Sequence, residues 1–123
     1  MKNIETAKNL FTWNTKNLIA EAQLDKSELS RFFASEFQVI ANGRKYEANY
    51  DNYLEFLNRF RSTIKTINYD FYESIVNEDH VVMPLTATII RVSGDKEIFE
   101  AILILKFNNE HKITLWHEVY VQV

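Results

Sequence analysis

Apolar residues along the first half of this chain recur every three or four positions; along the second half they alternate. Ile4, Ala7, Leu10, Phe11, Leu18 and Ile19 keep near-helical spacing, which predicts a helix over 4–22 whose middle is weakened by the Asn and Thr residues between 12 and 17. A second, short helix is expected after Asp25. Its carboxylate can accept from first-turn amides, and Glu28 stands three residues on, the spacing of a capping box. Leu29, Phe32 and Phe33 would form its apolar stripe. Residues 37–40 read as a strand, and Asn42-Gly43 as a two-residue turn, because both residues tolerate positive φ. The chain then returns through 44–48. Asn49 is placed to cap a third helix, in which Tyr50, Tyr53, Leu54, Leu57, Phe60 and Ile64 recur at three and four.

From Thr66 the period changes to two. Segments 66–77, 80–92, 97–107 and 112–122 are separated by Asn77-Glu78-Asp79, Ser93-Gly94-Asp95 and Asn108-Asn109-Glu110. Connections that short pair neighbouring strands antiparallel, as a meander. Strands that long imply a strongly curved sheet. Three helices followed by such a sheet define one α+β domain over 1–123, with the helices on one sheet face. The opposite face is not uniformly polar: Ile102 and Ile104 share it on one strand, and Leu115, Val119 and Val121 on the last. A sheet that is apolar on both faces needs two covers. The helices supply one, so a homodimer through the outer sheet face is expected.

Composition narrows this picture more than it redraws it. The aromatic share of 14% is high enough for rings to wall a cavity as well as fill a core. The formal net charge is −3 with Lys and Arg scattered, which argues against nucleic acid as a partner. With no cysteine, disulfides, thiolate metal sites and cysteine nucleophiles are excluded. Three separated histidines offer no metal-ligand spacing, so no metal and no cofactor are expected. Two glycines cannot build a phosphate loop or a dinucleotide fingerprint. No apolar run of about 18 residues is present, so no membrane span is expected. A cytoplasmic location is the default expectation, since the first residues lack the apolar stretch of a signal peptide.

The candidate chemistry sits on the last strand. Alternation puts Thr114, Trp116, Glu118 and Tyr120 on one face, and Leu115, His117, Val119 and Val121 on the other. A carboxylate between two aromatic rings is a candidate general base or ligand anchor. Glu118 is therefore the expected catalytic residue, with Trp116 and Tyr120 beside it. His117 faces away. On the segment from 66, the alternation leaves open whether Asp70 or Glu73 reaches the same space, since long curved strands carry bulges that swap faces.

The order helix–helix–strand–helix–meander resembles the nuclear transport factor 2-like superfamily, nearest its SnoaL-like branch. The resemblance is carried by Phe33-Ala34-Ser35-Glu36-Phe37-Gln38-Val39-Ile40-Ala41-Asn42-Gly43, the helix at 50–60, Val76-Asn77-Glu78-Asp79-His80-Val81-Val82-Met83 and Phe107-Asn108-Asn109-Glu110-His111-Lys112-Ile113-Thr114-Leu115-Trp116. It implies a cone: a curved antiparallel sheet wrapped around the helices, with a pocket at its wide end for a small apolar or aromatic molecule. The resemblance also spans isomerases, cyclases, dehydratases, epoxide hydrolases and non-catalytic modules, so fold alone decides little. Set beside the ketosteroid isomerases, the positions matching their base, second acid and oxyanion donor are Ala41, Leu103, and Trp13 or Asn17. That constellation is absent, and steroid isomerisation by that route is not expected. The residues expected to line the pocket are Trp13, Asn17, Met83, Leu85, Phe99, Leu103, Trp116 and Tyr120. The competing expectation is a dimeric structural module whose cavity is filled by Trp116, Met83 and Phe99.

Overall fold

A computed structural model of the chain describes residues 2–123. The elements run α1 (Asn3–Asn17), α2 (Lys26–Leu29), β1 (Phe33–Ala41), β2 (Arg44–Asn49), α3 (Tyr50–Arg61), β3 (Ile64–Phe71), β4 (Ile75–Val76), β5 (His80–Arg91), β6 (Lys96–Phe107) and β7 (Ile113–Gln122).

The first helix buries Ala7, Leu10, Phe11 and Trp13 and ends at Asn17, five residues earlier than the periodicity predicts. Side-chain competition explains the stop: the Asn17 amide donates to the Trp13 carbonyl at 2.9 Å, and Asn favours such local bonds over helix continuation. Beyond it the chain is tied to other elements. The Ala20 amide donates to the Ile64 carbonyl at 2.7 Å. The Arg61 guanidinium donates to the carbonyls of Ile19, Ala20 and Ala22, filling acceptors that a helix would have used.

The second helix is a single turn. Asp25 caps it through the Ser27 amide at 3.0 Å. Glu28 does not complete the expected box, because its carboxylate accepts from the Trp13 indole N–H at 3.1 Å instead. Phe33, expected on this helix, already begins β1. The third helix matches its pattern: Asn49 and Asn52 cap each other reciprocally, and Tyr53 and Leu57 are buried.

The strand order is β2-β1-β7-β6-β5-β3, with β4 also on β5. Segment 66–77 is thus two strands, broken at 72–74. The meander β5-β6-β7 is antiparallel as predicted. The exception to the expected antiparallel sheet is β1, which lies parallel to β7 with Val39 against Trp116 and Ala41 against Glu118. The sheet is therefore mixed, curved and unclosed. Register shifts in β1, β3 and at the β6–β7 end accompany the curvature. The concave face carries the core: Val81, Met83 and Leu85 on β5, Leu103, Leu105 and Phe107 on β6. Ile102, Val119 and Val121 are exposed on the convex face.

Candidate functional site

A cavity of about 530 Å³ opens between the helices and the concave sheet face. Phe11 and Asn14 border it from α1, Tyr53 and Phe60 from α3, and Tyr69 and Trp116 from the sheet. Rings hold one another across it: Phe11 meets Tyr69 edge-on at 4.8 Å and lies 6.1 Å from Trp116. Edge-to-face packing of this kind keeps apolar walls in place.

Glu118 brings a carboxylate into this space. Two features fix its backbone. Its rung on β7 lies between Ala41 of β1 and Leu103 of β6. Its carbonyl accepts from the Asn42 amide at 2.9 Å, in the β1–β2 turn. That turn has φ +50° at Asn42 and +84° at Gly43, the conformation the Asn-Gly pair predicted. Among the described residues no cation pairs with Glu118. Its side-chain partner among the described residues is the Trp116 indole N–H at 3.5 Å, at the weak limit of a hydrogen bond. Burial pushes the Glu118 carboxyl above its ordinary value of 4.5, and the Trp116 N–H opposes this only in part.

Two phenols share the same environment. Burial pushes Tyr53 well up, and the charges of Tyr46, Glu118 and Tyr69 add to the effect. Burial likewise raises Tyr69, with Glu118 adding and a hydrogen bond from Asn14 opposing. Both hydroxyls therefore stay protonated and able to donate. The Tyr46 hydroxyl, also on the cavity wall, is buried without a hydrogen-bond partner among the described residues. A carboxyl that takes up a proton easily, beside phenolic donors in an apolar space, can bind a polar group and exchange a proton with it.

Of the residues singled out from sequence, Glu118, Leu85, Phe99, Trp116 and Tyr120 border the cavity. Trp13, Asn17, Met83 and Leu103 do not. Trp13 is turned toward α2, bonded to Glu28 and packed 6.0 Å from Phe32. The Asn17 amide is spent on its own helix. Met83 and Leu103 are 1% and 0% exposed in the solid core, on the rung of Glu118 but covered. Of the three residues named as filling the cavity, Met83 lies in the core, and Trp116 and Phe99 border the cavity. Asp70 is exposed, alternating with the inward Tyr69, and Glu73 is exposed in the break after β3; neither borders the cavity. Tyr53, Tyr69 and Asn14 also border the cavity, and no local sequence pattern marks them for it. Tyr53 was visible only as part of a helical stripe, and Asn14 only as one of the polar residues that weaken α1.

His117 pairs with Ile104 and does not border the cavity. His111 is tied to Asn3 at 2.6 Å. Among the described residues no group of His, Asp and Glu could hold a metal ion, and no helix is long and apolar enough to cross a membrane. On the convex face, Ile102, Val119 and Val121 border a shallow groove with Pro84 and Tyr72. The Tyr72 hydroxyl donates to Glu100 at 2.8 Å and meets Thr86 at 2.7 Å.

A curved, unclosed mixed sheet of seven strands with a few helices is the nuclear transport factor 2-like fold, and this chain has it. It is similar to a nuclear transport factor 2-like protein of unknown function from Exiguobacterium sp. 255-15, with a TM-score of 0.71 at 15% identity over 99% of this chain and 98% of that one. A candidate SnoaL-like polyketide cyclase from Jannaschia sp. CCS1 gives 0.72 at 13% identity, over 98% and 84% of the two chains. An epoxide hydrolase of the LEH-like type from M. tuberculosis gives 0.72 at 10% identity, over 97% and 82%. No known family pattern matches the sequence, and no curated protein does.

Proposed function

We propose that the cavity binds one small, predominantly apolar or aromatic molecule, and that Glu118 is its polar anchor and the group that exchanges a proton with it. The observation that carries this reading is the unpaired, burial-raised Glu118 carboxyl in an aromatic cavity of about 530 Å³. That volume lies within the range of small-molecule sites, roughly 300–1,000 Å³. Tyr53 and Tyr69 support it as protonated donors, suited to hold a ligand oxygen on which negative charge develops. The orphaned Tyr46 hydroxyl adds a buried polar atom that a ligand would satisfy. The chemistry accommodated is proton transfer to or from the bound molecule, as in isomerases, cyclases and dehydratases, the last also releasing water. Among the structural neighbours, a candidate polyketide cyclase and a candidate isomerase are of that class.

Native mass spectrometry of the purified protein reads bound ligand and oligomer together. Retention of a small molecule that Glu118→Gln loses is the expected result. A spectrum and binding curve unchanged by Glu118→Gln would sink the role given to Glu118.

The dimer expected from sequence is part of the same reading. Ile102 and Val119 are cross-strand partners, 54% and 60% exposed, and an apolar row of that exposure is suited to a second copy. Val119→Asp should release monomers in sedimentation velocity. An unaltered sedimentation coefficient would refute this interface.

A further inference from the structure

Two guanidinium groups border the cavity, Arg44 and Arg91, and they are not equivalent. Arg91 is committed: Glu97 accepts from it at 2.7 and 3.1 Å, and Thr63 at 3.1 Å. Arg44 has no ion pair and no side-chain hydrogen bond among the described residues, and it is exposed at the rim. Register sets its place. Arg44 pairs with Ala41, and Ala41 pairs with Glu118. Arg44 and Glu118 thus stand on one rung of the sheet, facing the same cavity, about 10 Å apart at their Cα atoms, two strand spacings. Tyr46 and Tyr53 border the same cavity, and their polar side-chain atoms are hydroxyls.

We infer that the ligand is a small organic anion of the carboxylate class: its anionic end pairs with Arg44 at the rim, its apolar body lies against the rings, and a hydroxyl or carbonyl reaches Glu118. Planar guanidinium matches a carboxylate in a two-pronged geometry that lysine cannot offer. Lys45, next in sequence, lies opposite Ile40 on the alternate face and does not border the cavity. A single uncommitted arginine at the mouth, with a carboxyl at depth, selects a molecule polar at both ends and apolar between. The inference rests on the cavity being a ligand site, as proposed above, and adds the charge of what enters.

The test uses three matched probe pairs: 3-phenylpropanoate, 1-naphthylacetate and decanoate, each against its primary amide. Affinities are measured by isothermal titration calorimetry at low salt for the wild type, Arg44→Gln and Lys45→Gln. The acids should bind the wild type and Lys45→Gln about fivefold more tightly than the amides, as expected for one partly exposed ion pair. Arg44→Gln should bring acid and amide to the same affinity, leaving the amide unchanged, and added salt should weaken only the acids. Equal binding of acid and amide to the wild type, or a preference that survives Arg44→Gln, overturns the inference and leaves the cavity reading standing. If no acid and no amide binds, both fall together.

Discussion

Replacing Glu118 by Gln should make this protein more stable at neutral pH, and the gain should disappear in acid. A buried carboxyl is disfavoured in its charged form, and Glu118 has no cation to offset that, only a long contact from Trp116. Its native pKa therefore lies above the ordinary 4.5. The sign is the reverse of a salt-bridged acid. Between the unfolded value and the higher native one, the native state holds more protons than the unfolded chain, so stability falls as pH rises through that window. Above the native value the cost is complete, and each unit of upward displacement amounts to about 1.4 kcal/mol. Gln has the same shape, keeps an acceptor for the Trp116 N–H and cannot ionise. Glu118→Gln should gain on the order of 1 kcal/mol at pH 8, a rise of about 4 °C in Tm for a domain of this size, and progressively less as the pH falls through 4.5 toward 4. Paired thermal melts from pH 4 to pH 8 are the assay. A Glu118→Gln difference that is flat across that range, or a variant less stable than the wild type at pH 8, would refute the reasoning.

Two further outcomes follow from packing and turn geometry. Leu103 is fully buried, whereas its neighbour Ile102 is 54% exposed, so Leu103→Ala should cost about 3 kcal/mol in urea unfolding and Ile102→Ala well under 1 kcal/mol. Asn42 adopts φ +50° and accepts from the Tyr120 amide at 2.8 Å; Asn42→Ala should cost about 2 kcal/mol, through strain and the lost bond, and Asn42→Gly, which tolerates the φ, about half that.

The parts of the fold legible in the sequence were those governed by local rules. Helix α3 followed from its apolar stripe and the asparagine that caps it, and the three meander turns from their polar breaks. The parallel pairing of β1 with β7 was not legible, because contact between segments eighty residues apart leaves no mark on the period of either. Nor was the early end of α1, set by Arg61 collecting carbonyls 39 to 42 positions away. The site divides the same way. Period-two alternation identified the inward face of β7, and with it Trp116, Glu118 and Tyr120. Alternation gives the face but not the depth: Met83 and Leu103 point inward like Leu85, yet are covered, while Leu85 reaches the cavity. Tyr53 and Tyr69 read as core aromatics because nothing local distinguishes a ring whose hydroxyl ends in a cavity from one that ends in the core.

The β1–β2 turn links the two charged ends of the cavity. Asn42 holds β7 from both sides of Glu118: its amide donates to the Glu118 carbonyl, and its side-chain oxygen accepts from the Tyr120 amide. Gly43 follows at φ +84°, where a side chain would be strained, and Arg44 comes next, opposite Ala41. One turn therefore fixes the height of the carboxyl on β7 and the start of the strand that carries the guanidinium. Held this way, Glu118 does not need a cation to keep its place. A carboxyl positioned by backbone hydrogen bonds alone can remain unpaired in an apolar space, and its raised proton affinity is the consequence. The proposed proton exchange would use that combination: a fixed location, and a charge that no described residue neutralises.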